Sequence, residues 1–240
     1  MTMCCRNILY ILLIISFGCS IDDDPSVSVF TASFDFSESL DGWEADFVDL
    51  PAGENDSAFY ELKYAYTPLP QNLGSKKSFM LSGNNHSDDL FMFIKRKVSG
   101  LVPNTTYTLV FEVELASNAP QGSFGAGGSP GGSVFLKAGA SKIEPAKVIE
   151  SNNYVLNIDK GNQSMPGLNA IVLGDIAVPS NSTEYALITR SNAFSSSSPV
   201  FMTQTNNEGE IWLLVGTESG FEGTTTVYYT KINIVFSTSY

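Results

Sequence analysis

The chain has 240 residues, 12% of them aromatic, and a formal net charge of −12. That length builds one sizeable core and is short for two, while the acidic balance excludes an electrostatic grip on nucleic-acid phosphates. Val, Ile, Thr, Tyr and Phe gather in short runs between Gly, Pro, Asn and Ser, and no helical period persists beyond residue 20, so an all-β domain is expected.

The chain begins with one basic residue, Arg6, and the apolar run Ile8 to Phe17. The run is shorter than the roughly 20 apolar residues of a membrane-spanning helix and fits the core of a signal peptide. Gly18-Cys19 follows, then Ser20-Ile21-Asp22-Asp23-Asp24-Pro25. Gly18-Cys19 resembles the bacterial lipobox, in which the cysteine is diacylated and the chain is cleaved just before it; Ser16 and Phe17 depart from the usual Leu and small residue. The acids behind Cys19 resemble the export signal of Bacteroidetes surface lipoproteins. These resemblances imply a signal peptide over residues 1–18, a lipidated acidic tether over 19–26 and a β-sandwich domain over 27–240. They also imply an outer-membrane or cell-surface address, anchored through Cys19. A plain secretory leader and a solvated acidic linker are the competing readings. Cys4 and Cys5 fall in the removed segment, so the mature chain keeps no thiol for a disulfide or a cysteine metal site.

A first strand is expected over Ser26 to Phe36, then a turn through Gly42 and Trp43. Phe34-Asp35-Phe36 followed by Leu40-Asp41-Gly42-Trp43 resembles the opening of jelly-roll sugar-binding modules, where the tryptophan is either core or binding platform. Asp46 to Asn55 is read as an acidic loop. Phe59 to Thr67 is read as a strand whose Tyr60, Leu62, Tyr64 and Tyr66 share a face, forming a core wall or an aromatic binding face. Ser78 to Leu81 and Leu90 to Val98 are strands on either side of a polar tip that carries His86, the sole histidine. Lys95, Arg96 and Lys97 mark an edge or a strand end, because three consecutive charges cannot all face a core.

The stretch Ser99 to Asn118 has the strongest pattern. Leu109, Phe111, Val113 and Leu115 alternate with Thr108, Val110, Glu112 and Glu114, the period of a central strand. Gly100, Pro103 and Asn104 supply turn chemistry before it, and Tyr107 stands where a buried ring can send its hydroxyl to the turn backbone as a tyrosine corner. Gly-Leu-x-Pro-x-Thr-x-Tyr-x-Leu, here Gly100 to Leu109, resembles the mid-chain strand of jelly-roll carbohydrate-binding modules. Beyond it, Ala119 to Ser133 is a Gly/Ser/Pro loop. Strands are expected over Val134 to Ala140, as a short pair within Lys147 to Asn157, over Ala170 to Val178 and over Tyr185 to Thr189. The closing pair is Ile211 to Thr217 and Thr225 to Phe236. Strands at this spacing, with turn signals between, predict a two-sheet antiparallel β-sandwich of jelly-roll type.

Candidate chemistry sits at few positions. Glu112 and Glu114 lie on one strand face, about 6.5 to 7 Å apart along the strand. Glycosidase carboxylates normally face each other across the sugar, so a polar-lined or ligand-bonding face is expected here. Stacking rings and polar contacts suit sugars, which adds Trp43, Trp212, Phe221 and the loop residue Asp159 to the ligand-binding candidates. The module resemblance implies a structural calcium, with Asp35, Glu218 and Glu222 as oxygen ligands; Lys231 departs from the acid that the family shows in its last strand. The glycine loop lacks the Lys-Ser/Thr ending of a phosphate loop, and one histidine does not make a triad. The leading reading is a lipid-anchored sandwich that binds glycan or another polymer without altering it. A structural or adhesion lipoprotein that packs on an envelope protein is the alternative, and a jelly-roll glycan hydrolase or lyase the third. The expected behaviour of the leader is testable: Cys19→Ala should move the protein from the membrane to the soluble fraction and abolish lipid labelling, and unchanged fractionation contradicts the acylated cysteine.

Overall fold

The computed structural model describes residues 27–53, 56–179, 183–193 and 200–239. The leader, Cys19, the tether and the loop Ser195 to Ser198 lie outside the described residues. In chain order the elements are β1 (Val27–Asp35), β2 (Glu44–Val48), β3 (Leu50–Pro51), the one-turn helix α1 (Asp56–Phe59), β4 (Lys63–Pro68), β5 (Lys77–Asn84), β6 (Phe91–Val98) and β7 (Thr106–Ser117). There follow β8 (Val134–Ser141), β9 (Lys147–Glu150), β10 (Asn153–Leu156), β11 (Ala170–Asp175), β12 (Ala186–Ser191), β13 (Phe201–Gln204), β14 (Ile211–Ser219) and β15 (Thr224–Ser239).

Two antiparallel sheets form the sandwich. The first has the order β12-β7-β15-β5-β4, with β13 also on β7 and β1 also on β15; the second has the order β11-β8-β14-β6-β2. β5, β7 and β15 lie in the first sheet and β6, β8 and β14 in the second, so successive long strands cross between layers as in a jelly roll. A small third sheet, β3-β10-β9, lies beside them.

The alternation in β7 holds: Tyr107, Leu109, Phe111, Val113 and Leu115 are buried, and the residues between them are partly or fully exposed. Long β15 keeps its apolar side inward by means of a bulge at Thr230, where its register with β7 shifts. Before the bulge Val227 and Tyr229 face the core, and after it Ile232, Ile234 and Phe236 do. Each such side chain contributes ~1.5–3 kcal/mol when buried.

The tyrosine corner forms. The Val102 N–H donates to the Tyr107 hydroxyl at 3.0 Å, and the ring, 3% exposed, stands edge-on to Phe236. Two readings need correction, and of the edge or strand end expected at Lys95 to Lys97 the strand end is found. Phe59 to Thr67 is not one strand: α1 ends with Glu61 at φ 52°, the Leu62 N–H reaching Ser57 O and the Glu61 N–H reaching Ala58 O. That double bond is a Schellman cap, and it turns the chain before β4 starts. The acidic loop from Asp46 contains an edge strand, β2, paired to β6 from Glu44 to Val48. Lys95, Arg96 and Lys97 end an interior strand, since β6 lies between β14 and β2, and each closes an ion pair, with Glu144, Asp41 and Glu210 respectively. The corner makes a direct prediction. Tyr107→Phe removes the acceptor of a part-buried N–H and should cost ~1–3 kcal/mol, and Tyr107→Ala ~3–5 kcal/mol; equal denaturation midpoints for wild type and both variants would contradict it.

Candidate functional site

β2 and β4 are the edge strands on the same side of the two sheets, and between them opens a cleft of about 550 Å³. Phe47 and Leu50, both buried, lie at its base, while Lys63, Tyr64, Lys147 and Tyr154 line its walls with Asp46. Tyr64 is 60% exposed although it points to the inner side of its strand, because beyond the edge no facing strand covers it. Its ring lies 6.4 Å from that of Phe47 at an interplanar angle of 32°. Lys147 Nζ lies 2.5 Å from Asp46 Oδ1 and 5.1 Å from the centroid of Tyr154, so one wall carries a ring, an ammonium and a carboxylate in contact. An apolar ring face beside hydroxyl-bonding charges is the chemistry that holds a sugar.

Two of these wall residues, Lys147 and Tyr154, belong to the segment from β9 to Gly167 that lies across the outside of the second sheet. Leu156 and Ile158 from that segment pack on Phe91, Phe93 and Leu214, which point outward from β6 and β14. Gly139 and Gly216 admit the close approach on this sheet, since a Cβ there would come within 1.9 Å of Asn169 O and 2.7 Å of the Phe91 ring respectively. Beneath the segment is a buried charge network. Glu218, fully buried, lies 2.5 Å from both Lys137 Nζ and Lys160 Nζ, and Lys160 also pairs with Asp49 at 2.9 Å. Lys137 Nζ donates further to Lys160 O and Met165 O, so the network ties the sheet to the backbone of the covering segment. Burial pushes the Asp49 carboxyl above its ordinary value and the Lys137 ammonium below its own. Burial also acts to lower Lys160, but the carboxylates of Asp49 and Glu218 outweigh it and hold the group above its ordinary value.

The residues singled out from sequence fall in several places. Trp43 is not a platform: at 3% exposure it is packed edge-on against Phe34 and Phe36 inside the core. Glu218 is not free for a cation, because two ammonium groups already occupy its oxygens. Asp159 accepts the N–H groups of Gly161 and Leu168, each at 2.9 Å, and those bonds hold its carboxyl below the usual range; it organises a loop. Asp35 accepts the Ser37 N–H at 2.9 Å, and its hydrogen bonds with Ser37 lower its carboxyl likewise. Glu222 is exposed on the β14–β15 loop, and among the described residues no three His, Cys, Asp or Glu side chains converge as a metal group. Phe221 is half-buried in a separate concavity with Pro120 and Pro130. Trp212 is half-buried on the outside of the second sheet, flanked by Lys95 and Lys97.

Glu112 and Glu114 are half-exposed on the outer face of the first sheet, accepting from Asn233 Nδ2 and the Thr230 hydroxyl. None of these residues lines the cleft. Its Tyr64 had a sequence signal, the aromatic alternation before Pro68, whereas Tyr154 and Lys147 had none beyond their short strands.

Neither a family model nor a curated protein matches the sequence. Among solved structures, a mannan-recognising carbohydrate-binding module is 11% identical, with TM-score 0.39, over 87% of this chain and 98% of its own. A family 11 carbohydrate-binding module of a Clostridium thermocellum cellulosomal cellulase is 10% identical, with TM-score 0.38, over 86% and 95%. An adhesin domain of Lys-gingipain from Porphyromonas gingivalis is 11% identical, with TM-score 0.36, over 88% and 99%. The charge network makes its own prediction: Lys137→Met strands one buried carboxylate oxygen and should cost ~3–5 kcal/mol in denaturant unfolding, and a loss within 0.5 kcal/mol, the usual scatter of surface substitutions, contradicts that role.

Proposed function

We propose that this sandwich is a glycan-binding domain that holds a sugar chain in the β2–β4 cleft without cleaving it. The observation that carries this reading is the largely exposed Tyr64 ring opposite the Asp46–Lys147–Tyr154 wall. A pyranose laid on Tyr64 has a carboxylate and an ammonium within the same opening for its hydroxyls. Asp46 is the one carboxylate on that wall among the described residues, and hydrolysis through paired acids uses two about 5 to 10 Å apart. Binding without turnover is the activity this donor set supports.

The surface address belongs to the same proposal. Gly18-Cys19 and the acids at Asp22 to Asp24 support a lipid anchor at the outer membrane or cell surface, with the tether presenting the sandwich to extracellular polymer. A glycan array on the purified domain, followed by calorimetry on the best ligand, tests the binding. Tyr64→Ala should weaken that ligand at least about tenfold, the loss of one stacking contact of ~1.5 kcal/mol, and leave the domain folded because the ring is largely exposed. Equal affinity of Tyr64→Ala and wild type contradicts the cleft as the site, and release of reducing ends from the ligand contradicts the reading without cleavage.

A further inference from the structure

The outer face of the first sheet carries a second concavity, of about 200 Å³, remote in composition from the cleft. Its floor is a row across three strands, Asp35 on β1, Lys231 on β15 and Glu114 on β7, opposite one another in register. Its roof is the connection from β4 to β5. This connection makes a single 3-10 turn at Gln71–Leu73, and Asn72 Nδ2 donates to Tyr185 O at 2.7 Å beside β12, at the far edge of the sheet. A loop that starts at one edge of the sheet and is tied to the other encloses the space between. Leu187, 47% exposed, and Leu73 give the enclosure an apolar side.

The charges here are unusual for this molecule. The net charge is −12, and most described lysines and arginines have a carboxylate within 4 Å. Among the described residues Lys63, Lys76, Lys77, Lys142 and Lys231 have none at that distance, and three of them, Lys76, Lys77 and Lys231, line this concavity beside the carboxylates of Asp35 and Glu114. Lys77 Nζ is steadied over the Tyr66 ring, 4.5 Å from its centroid. Glu114 accepts the Thr230 hydroxyl on Oε1 at 2.8 Å, and its other oxygen accepts no protein hydrogen bond among the described residues. Three ammonium groups beside two carboxylates leave one positive charge for an anion, a carboxylate oxygen without a donor calls for a hydroxyl, and the leucines call for an apolar face. One small molecule carries all three within the size of a single ring.

We infer that this concavity is a second binding site, for a carboxylate-bearing sugar residue, a uronate. The uronate carboxylate pairs with the Lys76, Lys77 and Lys231 ammonium groups, a ring hydroxyl donates to Glu114, and a C–H face lies on Leu187. Charge-assisted hydrogen bonds of this type are the stronger ones, and because all three lysines are exposed, binding should weaken as salt is raised. The site holds one residue, so it reads a terminal or side-branch acid, whereas the cleft accommodates a chain.

The test is an amide NMR titration of the domain with glucuronate and galacturonate, each beside its neutral hexose and beside acetate. At least one uronate should shift the Glu114, Leu187, Thr230 and Lys231 amides, with neither its hexose nor acetate doing so at the same concentration. Lys76→Gln, on the roof loop, and Glu114→Gln should each weaken it about tenfold, and Tyr64→Ala should leave it unchanged, which separates this site from the cleft. Lys76→Gln lies outside both sheets, so it reports even where Glu114→Gln disturbs folding. Acetate binding as tightly as the uronate reduces the pocket to a carboxylate trap and overturns the sugar assignment. Shifts confined to Tyr64 and Tyr154, equal binding by the hexose, or no shift with either uronate each overturn the second site.

Discussion

A carboxylate with no access to water has to be matched where it stands, and Glu218 is matched on both oxygens by lysines from different parts of the chain. Lys137 comes from the sheet and Lys160 from the segment laid over it, so the pairing fixes the segment as well as the charge. Desolvating such ions costs several kcal/mol apiece, and breaking one partner is worse than never having had the pair. Lys137 limits that cost by spending its remaining protons on Lys160 O and Met165 O. The apolar contacts of Leu156 and Ile158 with Phe91, Phe93 and Leu214 then have a single register in which to form. The cleft inherits this geometry, because Lys147 and Tyr154 hang on the pinned segment while Tyr64 and Asp46 hang on the two sheet edges.

The same segment makes the two outer faces of the sandwich unequal. Outside the second sheet, Phe91, Phe93, Lys137 and Glu218 are sealed, while Trp212 with its flanking lysines remains partly exposed. Outside the first sheet, Glu112 and Glu114 stay half-exposed, with a single loop crossing beside Glu114. The surfaces left open are thereby the side between the edge strands and the outer face of the first sheet. The third concavity, around Phe221, is lined by Pro120, Pro130, Ile176 and three threonines, Thr224 to Thr226, with no charged side chain among its described lining.

Much of the scaffold was legible in the chain because its cause is local. The β7 alternation and the Pro103–Tyr107 corner follow from period two and turn chemistry, and both stand as read. The break at Glu61 was not legible, because a non-glycine residue in the left-handed region is chosen by the cap it completes and leaves no composition signal. β2 was hidden by its acids, which an edge strand tolerates on its exposed side. The burial of Trp43 and the pairing of Glu218 are long-range facts: Glu218 meets Lys137 and Lys160 across 81 and 58 residues, and single-sequence spacing carries nothing about such meetings. For the same reason the cleft, assembled from residues between Asp46 and Tyr154, could be sensed at Tyr64 alone.

In the function proposed above, a glycan chain lies in the edge-strand cleft, held open by the pinned segment. A crystal structure of the domain soaked with its best array ligand tests this most directly. A pyranose ring should stack on Tyr64 with hydroxyls on Asp46 and Lys147. Ligand density anywhere else on the sandwich, with the Tyr64 ring bare, would contradict it.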